Sequence, residues 1–198
     1  MSEDVLVPGG RDVRATLDNP DHDACVVACP PHPQYGGRRT DTRLRAVSDA
    51  LADDAATLRF DYGAWDEGYG ELADARNALD WARDRYDRVS VFGYSFGGCI
   101  ALLAAARESV EGAPPEAVAA LAPASRLATD LDAAAELDAV DCPGYVLYGE
   151  RDTTAEWEPV VDRARDLGWR VESMPADHHF VGQAGKVGEK VAAFLRDA

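Results

Sequence analysis

Residues 93–97 read Gly-Tyr-Ser-Phe-Gly, a Gly-x-Ser-x-Gly pattern that can present a serine as a nucleophile. The apolar stretch 89–92 runs directly into this pattern, and an apolar helical stretch begins directly after it. In such a strand–turn–helix the chain turns so sharply that a Cβ at either flanking position would clash, which requires glycine there. We therefore predict that the Ser95 hydroxyl is exposed above a sheet edge and that the Phe96 N–H can stabilise an oxyanion.

A serine hydroxyl at its ordinary pKa is a poor nucleophile and needs a base. His178 and His179 follow the last predicted strand, in a loop at the same sheet edge as Ser95, and the residues alone leave both open as the base. We expect His22, in a polar turn, to be solvated. For His32, in a Pro-rich loop, we expect a structural role in which the imidazole bonds the backbone and holds that loop open.

A third group must orient the imidazole. The segment Gly-Glu-Arg-Asp at 149–152 follows the preceding buried strand, and we favour Asp152 as this acid, with Glu150 next. Asp177 is a rival, but adjacent side chains point apart, so it is poorly placed to orient His178. The order serine, acid, histidine along the chain is that of the α/β-hydrolase fold.

A second oxyanion donor should come from the loop after the apolar strand 24–29. Pro33 has no N–H and cannot donate. Gln34 is the first donor past the Pro-His-Pro turn, and Tyr35 is the alternative.

Strands and helices alternate along the chain, which is typical of a mostly parallel central sheet with helices on both faces. Residues 12–17 alternate polar and apolar, which favours an antiparallel edge strand. No repeat or linker divides the chain, so we expect one domain over residues 1–198. The predicted strands are 12–17, 24–29, 56–60, 89–92, 117–121, 144–148 and 169–173, and the predicted helices are 40–52, 69–86, 96–107, 154–167 and 185–196.

Only about twenty residues separate the strands that end at 121 and begin at 144, and they include one short predicted helix over 128–137. There is no room for a cap domain, and an open site suits small or flexible acyl substrates. Aromatic candidates for the substrate-binding wall, each of which could instead pack in the core or on the surface, are Tyr35, Tyr62, Trp65, Tyr94 and Phe96.

The chain resembles a compact α/β-hydrolase family of prokaryotic hydrolases, often grouped with dienelactone-hydrolase-like proteins. The resemblance implies Ser95 as nucleophile, Asp152 as acid and His178 as base, with His179 where the family tends to have an aromatic residue. Dienelactone hydrolases proper use a cysteine nucleophile, so dienelactone as substrate does not follow. The segments that carry the resemblance are the Pro-rich loop 29–37, Trp-Asp-Glu-Gly-Tyr-Gly-Glu at 65–71, the serine motif 93–97, Gly-Glu-Arg-Asp at 149–152 and Ala-Asp-His-His-Phe at 176–180.

The sequence thus predicts a serine hydrolase that cleaves carboxylic ester or thioester bonds of small molecules through an acyl-enzyme. Two alternatives stay open: an acyltransferase that uses the same three residues, and a non-catalytic binding protein of this fold. We expect no cofactor and no metal site, because no His, Asp, Glu or Cys cluster has a metal-binding spacing. A Gly-x-Gly-x-x-Ala match at 68–73 is separated from its strand by a loop, which argues against dinucleotide binding.

The charge of the chain excludes several classes of partner. Thirty-six acidic residues face twenty basic ones, a formal net charge of −16, and only two of the bases are lysines. The negative electrostatic potential that results repels nucleic acid and anionic lipid. The spread, Asp-rich and Lys-poor composition resembles that of proteins from salt-loving archaea. The oligomeric state stays open.

The start of the chain has no basic segment followed by an apolar one, and no stretch reaches the roughly 20 apolar residues needed to span a bilayer. The four cysteines form no Cys-x-x-Cys pair, which indicates free thiols in a reducing compartment. We therefore expect a cytoplasmic protein.

We predict that the stability of the fold depends on salt, because molar KCl screens the mutual repulsion of the acidic side chains. Thermal unfolding followed by circular dichroism should give a higher melting temperature in molar KCl than in low salt. Equal melting temperatures in the two buffers would contradict the halophilic interpretation.

Overall fold

The computed structural model describes all residues, 1–198. Ten strands are present: β1 (Ser2–Val7), β2 (Val13–Asp18), β3 (Ala24–Cys29), β4 (Ala56–Phe60), β5 (Arg88–Tyr94), β6 (Val118–Leu121), β7 (Arg126–Ala128), β8 (Leu131–Asp132), β9 (Gly144–Gly149) and β10 (Arg170–Met174). The helices are α1 (Thr42–Ala50), α2 (Tyr69–Arg83), α3 (Phe96–Val110), α4 (Ala133–Glu136), α5 (Glu158–Asp166) and α6 (Ala184–Asp197), with short 3-10 turns at Pro33–Tyr35 and Leu137–Ala139.

Eight of the strands form one sheet in the order β1-β2-β4-β3-β5-β6-β9-β10. The six strands from β4 to β10 are parallel, while β1 and β2 run antiparallel at one side. The predicted mostly parallel sheet is confirmed. Since parallel strands end at the same edge, the loops after β3, β5, β9 and β10 meet there.

Helices cover both faces of the sheet, as predicted. One apolar core lies between the sheet and α2, α3 and α5, and the other lies between the sheet and the packed pair α1 and α6. All four cysteines are free; Cys25, Cys29 and Cys99 are buried in the first core, and Cys142 is partly buried at its margin. No cap domain is inserted between β6 and β9, where only the β7–β8 hairpin, α4 and a 3-10 turn lie.

Three details of the predicted elements are wrong. The strand β2 is antiparallel but is not the edge, because β1 covers it; the Ser-Glu-Asp start of β1 is exposed and has no apolar pattern. The predicted helix 128–137 is instead a hairpin followed by the single turn of α4. The helix predicted from 154 begins only at Glu158, because the Asp152 side chain caps the backbone of the preceding turn.

A buried ion pair ties the antiparallel side of the sheet to α1. The Asp18 carboxylate accepts hydrogen bonds of 2.7 Å from Nε of Arg59 and from the hydroxyls of Ser48 and Ser2. Arg59 in turn donates to the carbonyl oxygen of Arg39, at the end of the loop that follows β3. Burial of Asp18 raises its pKa, but the hydrogen bonds from Arg59, Ser2 and Ser48 together outweigh burial and leave that pKa below its ordinary value.

We predict that Asp18→Asn destabilises the fold by about 3 kcal/mol at pH 7, because it leaves the buried Arg59 without its counterion. The lowered pKa means that the stability from the ionised carboxylate is full above the unfolded-state pKa, about 4, and is lost as the pH falls through the folded-state pKa. In urea denaturation, the difference from wild type should therefore shrink below about pH 4. As a control, Asp21→Asn, at an exposed aspartate, should have the wild-type free energy of unfolding. If Asp18→Asn lowered the free energy of unfolding by the same amount at every pH, this account would be contradicted.

Candidate active site

Ser95 lies at the sharp turn between β5 and α3, with backbone angles φ 59° and ψ −118°. A positive φ is unfavourable for a residue with a side chain. The turn fits only because both flanking residues are glycines. A Cβ at Gly93 would overlap the carbonyl oxygen of Gly97, and one at Gly97 would overlap those of Cys29 and Pro30. The predicted need for glycine at both positions is confirmed.

His178 lies in the loop after β10 and reaches the serine with its imidazole. Its Nε2 lies 2.9 Å from Oγ of Ser95, and its Nδ1 lies 2.7 Å from Oδ2 of Asp152. An ionised carboxylate can only accept, so Nδ1 carries the ring proton and Nε2 is left to accept the serine hydroxyl hydrogen. The fold thus places a hydroxyl, a buried imidazole and a carboxylate in one hydrogen-bonded line.

Asp152 follows β9, and its carboxylate is fully buried. While Oδ2 faces His178, Oδ1 accepts hydrogen bonds from the N–H groups of Thr154 at 2.8 Å and Ala155 at 3.2 Å. These bonds compensate the burial of the charge and fix the orientation of the carboxylate. The side chain is therefore held in place before any substrate binds.

The other acids and histidines considered from the sequence do not take part in this line. Glu150 is exposed and accepts a hydrogen bond from the Ser173 hydroxyl. Asp177 is exposed and accepts the N–H of His179 at 3.0 Å. The His179 ring is exposed and stands edge-on to that of His178, with 5.5 Å between the ring centroids. Only His178 contacts Ser95.

The loop after β3 offers a different candidate for the oxyanion donor from the one predicted. The Gln34 N–H points to Nδ1 of His32 at 3.3 Å, and the Tyr35 N–H donates to the His32 carbonyl oxygen. Both donors are used inside the 3-10 turn, so the assignment of Gln34 is wrong. The His32 N–H has no partner within the chain, and His32 lines the same cleft as Ser95. Because prolines occupy 30, 31 and 33, His32 is also the only N–H donor in that stretch.

The other predicted donor, the Phe96 N–H, begins α3. At the first position of a helix no intrahelical carbonyl is available to it, so this N–H is open to a ligand. The positive end of the helix dipole lies at the same point and favours a negative charge.

Ser95 opens into a cleft of about 600 Å³. The exposed tyrosine and tryptophan side chains of the whole protein, Tyr35, Trp65 and Tyr69, all lie around this cleft. The structure therefore places Tyr35 and Trp65 at the cleft, as expected for a substrate-binding wall. The clustering of all exposed tyrosine and tryptophan rings at one cleft points to a binding surface for an apolar or planar group.

The His32 ring is the centre of an aromatic cluster at this cleft. Its centroid lies 4.6 Å from that of Tyr35, 4.7 Å from that of Trp65 and 4.9 Å from that of Phe96. Burial lowers the pKa of His32, against a weaker opposite effect of the Glu71 carboxylate. The neutral ring that results can accept the Gln34 N–H, which agrees with the expected structural role of His32 in its loop.

Two of the predicted aromatic wall residues do not line the cleft. Tyr94 is buried on the other face of the sheet, and its hydroxyl donates to the carbonyl oxygen of His178 at 3.0 Å. Consecutive strand residues point to opposite faces, which directs Tyr94 away from the aromatic cluster. Tyr62 is buried as well, with its hydroxyl on the carbonyl oxygen of Pro30.

The loop that carries Trp65 is fixed by two buried carboxylates of α2. Within residues 63–68, Glu71 accepts two backbone N–H bonds, of 3.0 and 2.8 Å, and Asp74 accepts one of 2.9 Å. Arg11 pairs with Asp74 at 2.7 Å and donates to a carbonyl oxygen of the same loop. The aromatic wall is therefore held rigidly.

The opposite wall comes from segments to which the sequence analysis assigned no role. In the short connection after β6, the Arg126 guanidinium is paired with Asp132, and across the cleft the Tyr69 hydroxyl donates to Asp130 at 2.6 Å. The short length of this connection, which excludes a cap, was the only signal that it could border the site. The unassigned lining residues are Glu67, Tyr69, Ala124, Arg126, Leu127, Ala128, Thr154 and Ala155.

Two other clefts of similar volume, about 550 and 600 Å³, have no histidine in their lining. A cavity of about 150 Å³ at the opposite ends of the strands, around Cys25 and Ser90, contains no histidine. No group of three or more His, Cys, Asp or Glu side chains is arranged to hold a metal ion. None of the helices combines the length and the apolar character that crossing a membrane requires.

No protein-family model matches the sequence. An uncharacterized protein of Rickettsia prowazekii (strain Madrid E) is 26% identical over 188 residues, covering 88% of this chain and 75% of that protein. The similarity extends over most of both chains, but it does not indicate a function because the matched protein is uncharacterized.

Solved structures match over almost the whole chain. An α/β serine hydrolase homologue from Coxiella burnetii has a TM-score of 0.82 at 23% identity, covering 98% of this chain and 97% of its own. A dienelactone hydrolase from Anabaena variabilis has a TM-score of 0.78 at 22% identity, covering 100% and 97%. A hyperthermophilic esterase from Pyrobaculum calidifontis has a TM-score of 0.77 at 19% identity, covering 100% and 85%. The chain has the α/β-hydrolase fold without a cap domain.

We predict that a fluorophosphonate probe labels Ser95 and no other serine, because only this serine hydroxyl lies within hydrogen-bond distance of an imidazole. Mass spectrometry of the labelled peptide should locate the adduct. Labelling should slow by at least about a thousandfold in His178→Ala and stay near the wild-type rate in His179→Phe. An adduct on another residue would overturn the assignment of Ser95. Slow labelling of His179→Phe together with fast labelling of His178→Ala would overturn the assignment of the base.

Proposed function

We propose that the protein is a serine hydrolase that cleaves carboxylic ester or thioester bonds of small molecules. The observation that carries the proposal is the line from Ser95 Oγ through the His178 imidazole to the buried Asp152 carboxylate, at 2.9 and 2.7 Å. A protein that only binds a ligand has no need of a strained serine held against a base and an acid.

The geometry supports a two-step reaction. Ser95 Oγ attacks the substrate carbonyl carbon while Nε2 of His178 takes the hydroxyl proton, and Asp152 stabilises the imidazolium. The N–H groups of Phe96 and His32 donate to the oxyanion of the tetrahedral intermediate. His178 then gives its proton to the leaving alcohol or thiol, and an acyl group remains on Ser95. In the second step water, deprotonated by His178, releases the acid and restores the serine.

The structural neighbours support this class of reaction, but they do not indicate which substrate this chain cleaves. Their names are those of a serine hydrolase homologue, a dienelactone hydrolase and an esterase. At such sequence identities the fold alone carries over, so the ester chemistry rests on the site of this chain.

The cleft favours small, neutral and partly planar substrates. Its floor and walls are mostly aromatic or aliphatic, and it is open to solvent rather than a closed tunnel for a long chain. The charged side chains that line it are Glu67 and Arg126, and Arg126 is already paired with Asp132. With Glu67 unpaired and a net charge of −16, an anionic acyl group is repelled.

We predict that, in molar KCl, the protein hydrolyses p-nitrophenyl acetate, butyrate and benzoate faster than the laurate. A matched acyl group with a free carboxylate, such as the hemisuccinate, should react more slowly than the butyrate. Release of p-nitrophenol and of free thiol from the matching thioesters measures both bond types, and Ser95→Ala is the blank. No turnover above Ser95→Ala with any member of the panel would refute hydrolysis; acyl products formed only with added alcohol or amine would identify an acyltransferase.

A further inference from the structure

Two side chains outside the cleft hydrogen-bond to consecutive carbonyl groups of the histidine loop. The Tyr94 hydroxyl donates to the carbonyl oxygen of His178 at 3.0 Å, and Nη1 of Arg43 donates to that of His179 at 3.4 Å. We propose that Tyr94 and Arg43 are positioning residues that together hold the main chain of this loop and thereby set the distance from the His178 imidazole to Ser95. The proposal rests on the proposed function and adds two residues to it.

Tyr94 is suited to this task by its place in the chain. It is the residue directly before Ser95, at the end of β5, and its ring is buried beside the His178 ring with 5.4 Å between the centroids. The same strand end therefore carries the nucleophile on one side and holds the main chain of the base on the other. A shift of β5 moves both groups together, which keeps their separation constant.

Arg43 links this tyrosine to the first turn of α1. Its guanidinium lies 4.5 Å from the centre of the Tyr94 ring, and Nη2 pairs with Asp41 at 2.6 Å. Asp41 also caps α1 by accepting the Arg43 N–H at 2.8 Å, so the arginine is fixed at both its ends. The Nε of Arg43 is buried without a hydrogen-bond partner, which costs free energy. The salt bridge with Asp41 alone does not explain why the side chain is held in this unfavourable position.

The histidine loop needs such support because its own backbone provides little. No backbone N–H donates to the carbonyl oxygen of His178 or of His179. The next residue, Phe180, has a positive φ of 49°, an unfavourable conformation for a side-chain-bearing residue. Without Tyr94 and Arg43 the loop could relax, and a displacement of about 1 Å at a reacting group can cost about a hundredfold in rate.

The test compares Tyr94→Phe, Arg43→Lys and the double variant with Tyr86→Phe. Tyr86 is the matched control, because its hydroxyl also donates to a backbone carbonyl, that of Pro20, far from the site. We expect Tyr94→Phe to lower kcat for the best ester of the panel about tenfold with KM unchanged, since only the base is misplaced. Arg43→Lys should lower kcat less, and Tyr86→Phe should match wild type.

The double variant tests whether the two residues act as a unit. If both hold the same loop, the combined loss in kcat is smaller than the product of the two single losses. Multiplicative losses would mean that they act separately and would overturn the proposal. If Tyr94→Phe does not fold, a wild-type kcat for Arg43→Lys overturns it, and a reduced kcat with unchanged KM supports it.

A proton NMR measurement separates this proposal from the proposed function, because it needs no substrate. The Nδ1 proton of His178, bonded to Asp152, should give a resolved low-field resonance in wild type and Tyr86→Phe. We expect this resonance to shift or broaden in Tyr94→Phe even if no ester is turned over. An unchanged resonance in Tyr94→Phe, at an unchanged melting temperature, would overturn the positioning role and leave the hydrolase proposal intact.

Discussion

The structure is organised around the close approach of three main-chain segments at Ser95. The end of β5, the start of α3 and the end of β3 come so near one another that neither Gly93 nor Gly97 has space for a Cβ. This contact forces the serine into its strained backbone conformation and directs its hydroxyl away from the sheet. It also brings Pro30, where the loop that carries His32 begins, against Gly97 in the first turn of α3. The proposed nucleophile and the loop with the candidate oxyanion donor are thus both positioned by one packing constraint.

Buried carboxylates hold the remaining loops around that point. Asp152 accepts two backbone N–H groups beyond β9, and Glu71 accepts two in the loop that carries Trp65. Asp18 joins the antiparallel strands to α1 and, through Arg59, to the end of the loop after β3. A carboxylate can accept several short hydrogen bonds at once, so one side chain fixes a whole irregular segment. The acids on the surface give the chain its net charge, while these few buried ones determine where its loops lie.

The parts of the site that depend on local sequence pattern could be predicted from the sequence. Ser95, Asp152 and His178 each follow a strand of the parallel part of the sheet, so their meeting at one sheet edge follows from parallel topology alone. Prediction from the sequence failed at details of local geometry that the motifs do not specify. The Gln34 N–H is taken by the ring of His32, two residues earlier, and Tyr94 is turned to the other face by strand alternation. The edge strand β1 has no apolar pattern because most of its residues are exposed, and the β7–β8 hairpin is too short to leave a periodic signal.

In the proposed reaction, the absence of a cap has a consequence for the fate of an acyl group on Ser95. Closing an active site over a reactive intermediate expels water and protects that intermediate from hydrolysis. Here the cleft opens to solvent between the aromatic rim and the β7–β8 hairpin, and no cap domain covers it. A second substrate would have to compete with water at full solvent concentration. The open cleft therefore biases the partition of an acyl-enzyme toward hydrolysis, whichever acyl group the first step delivers.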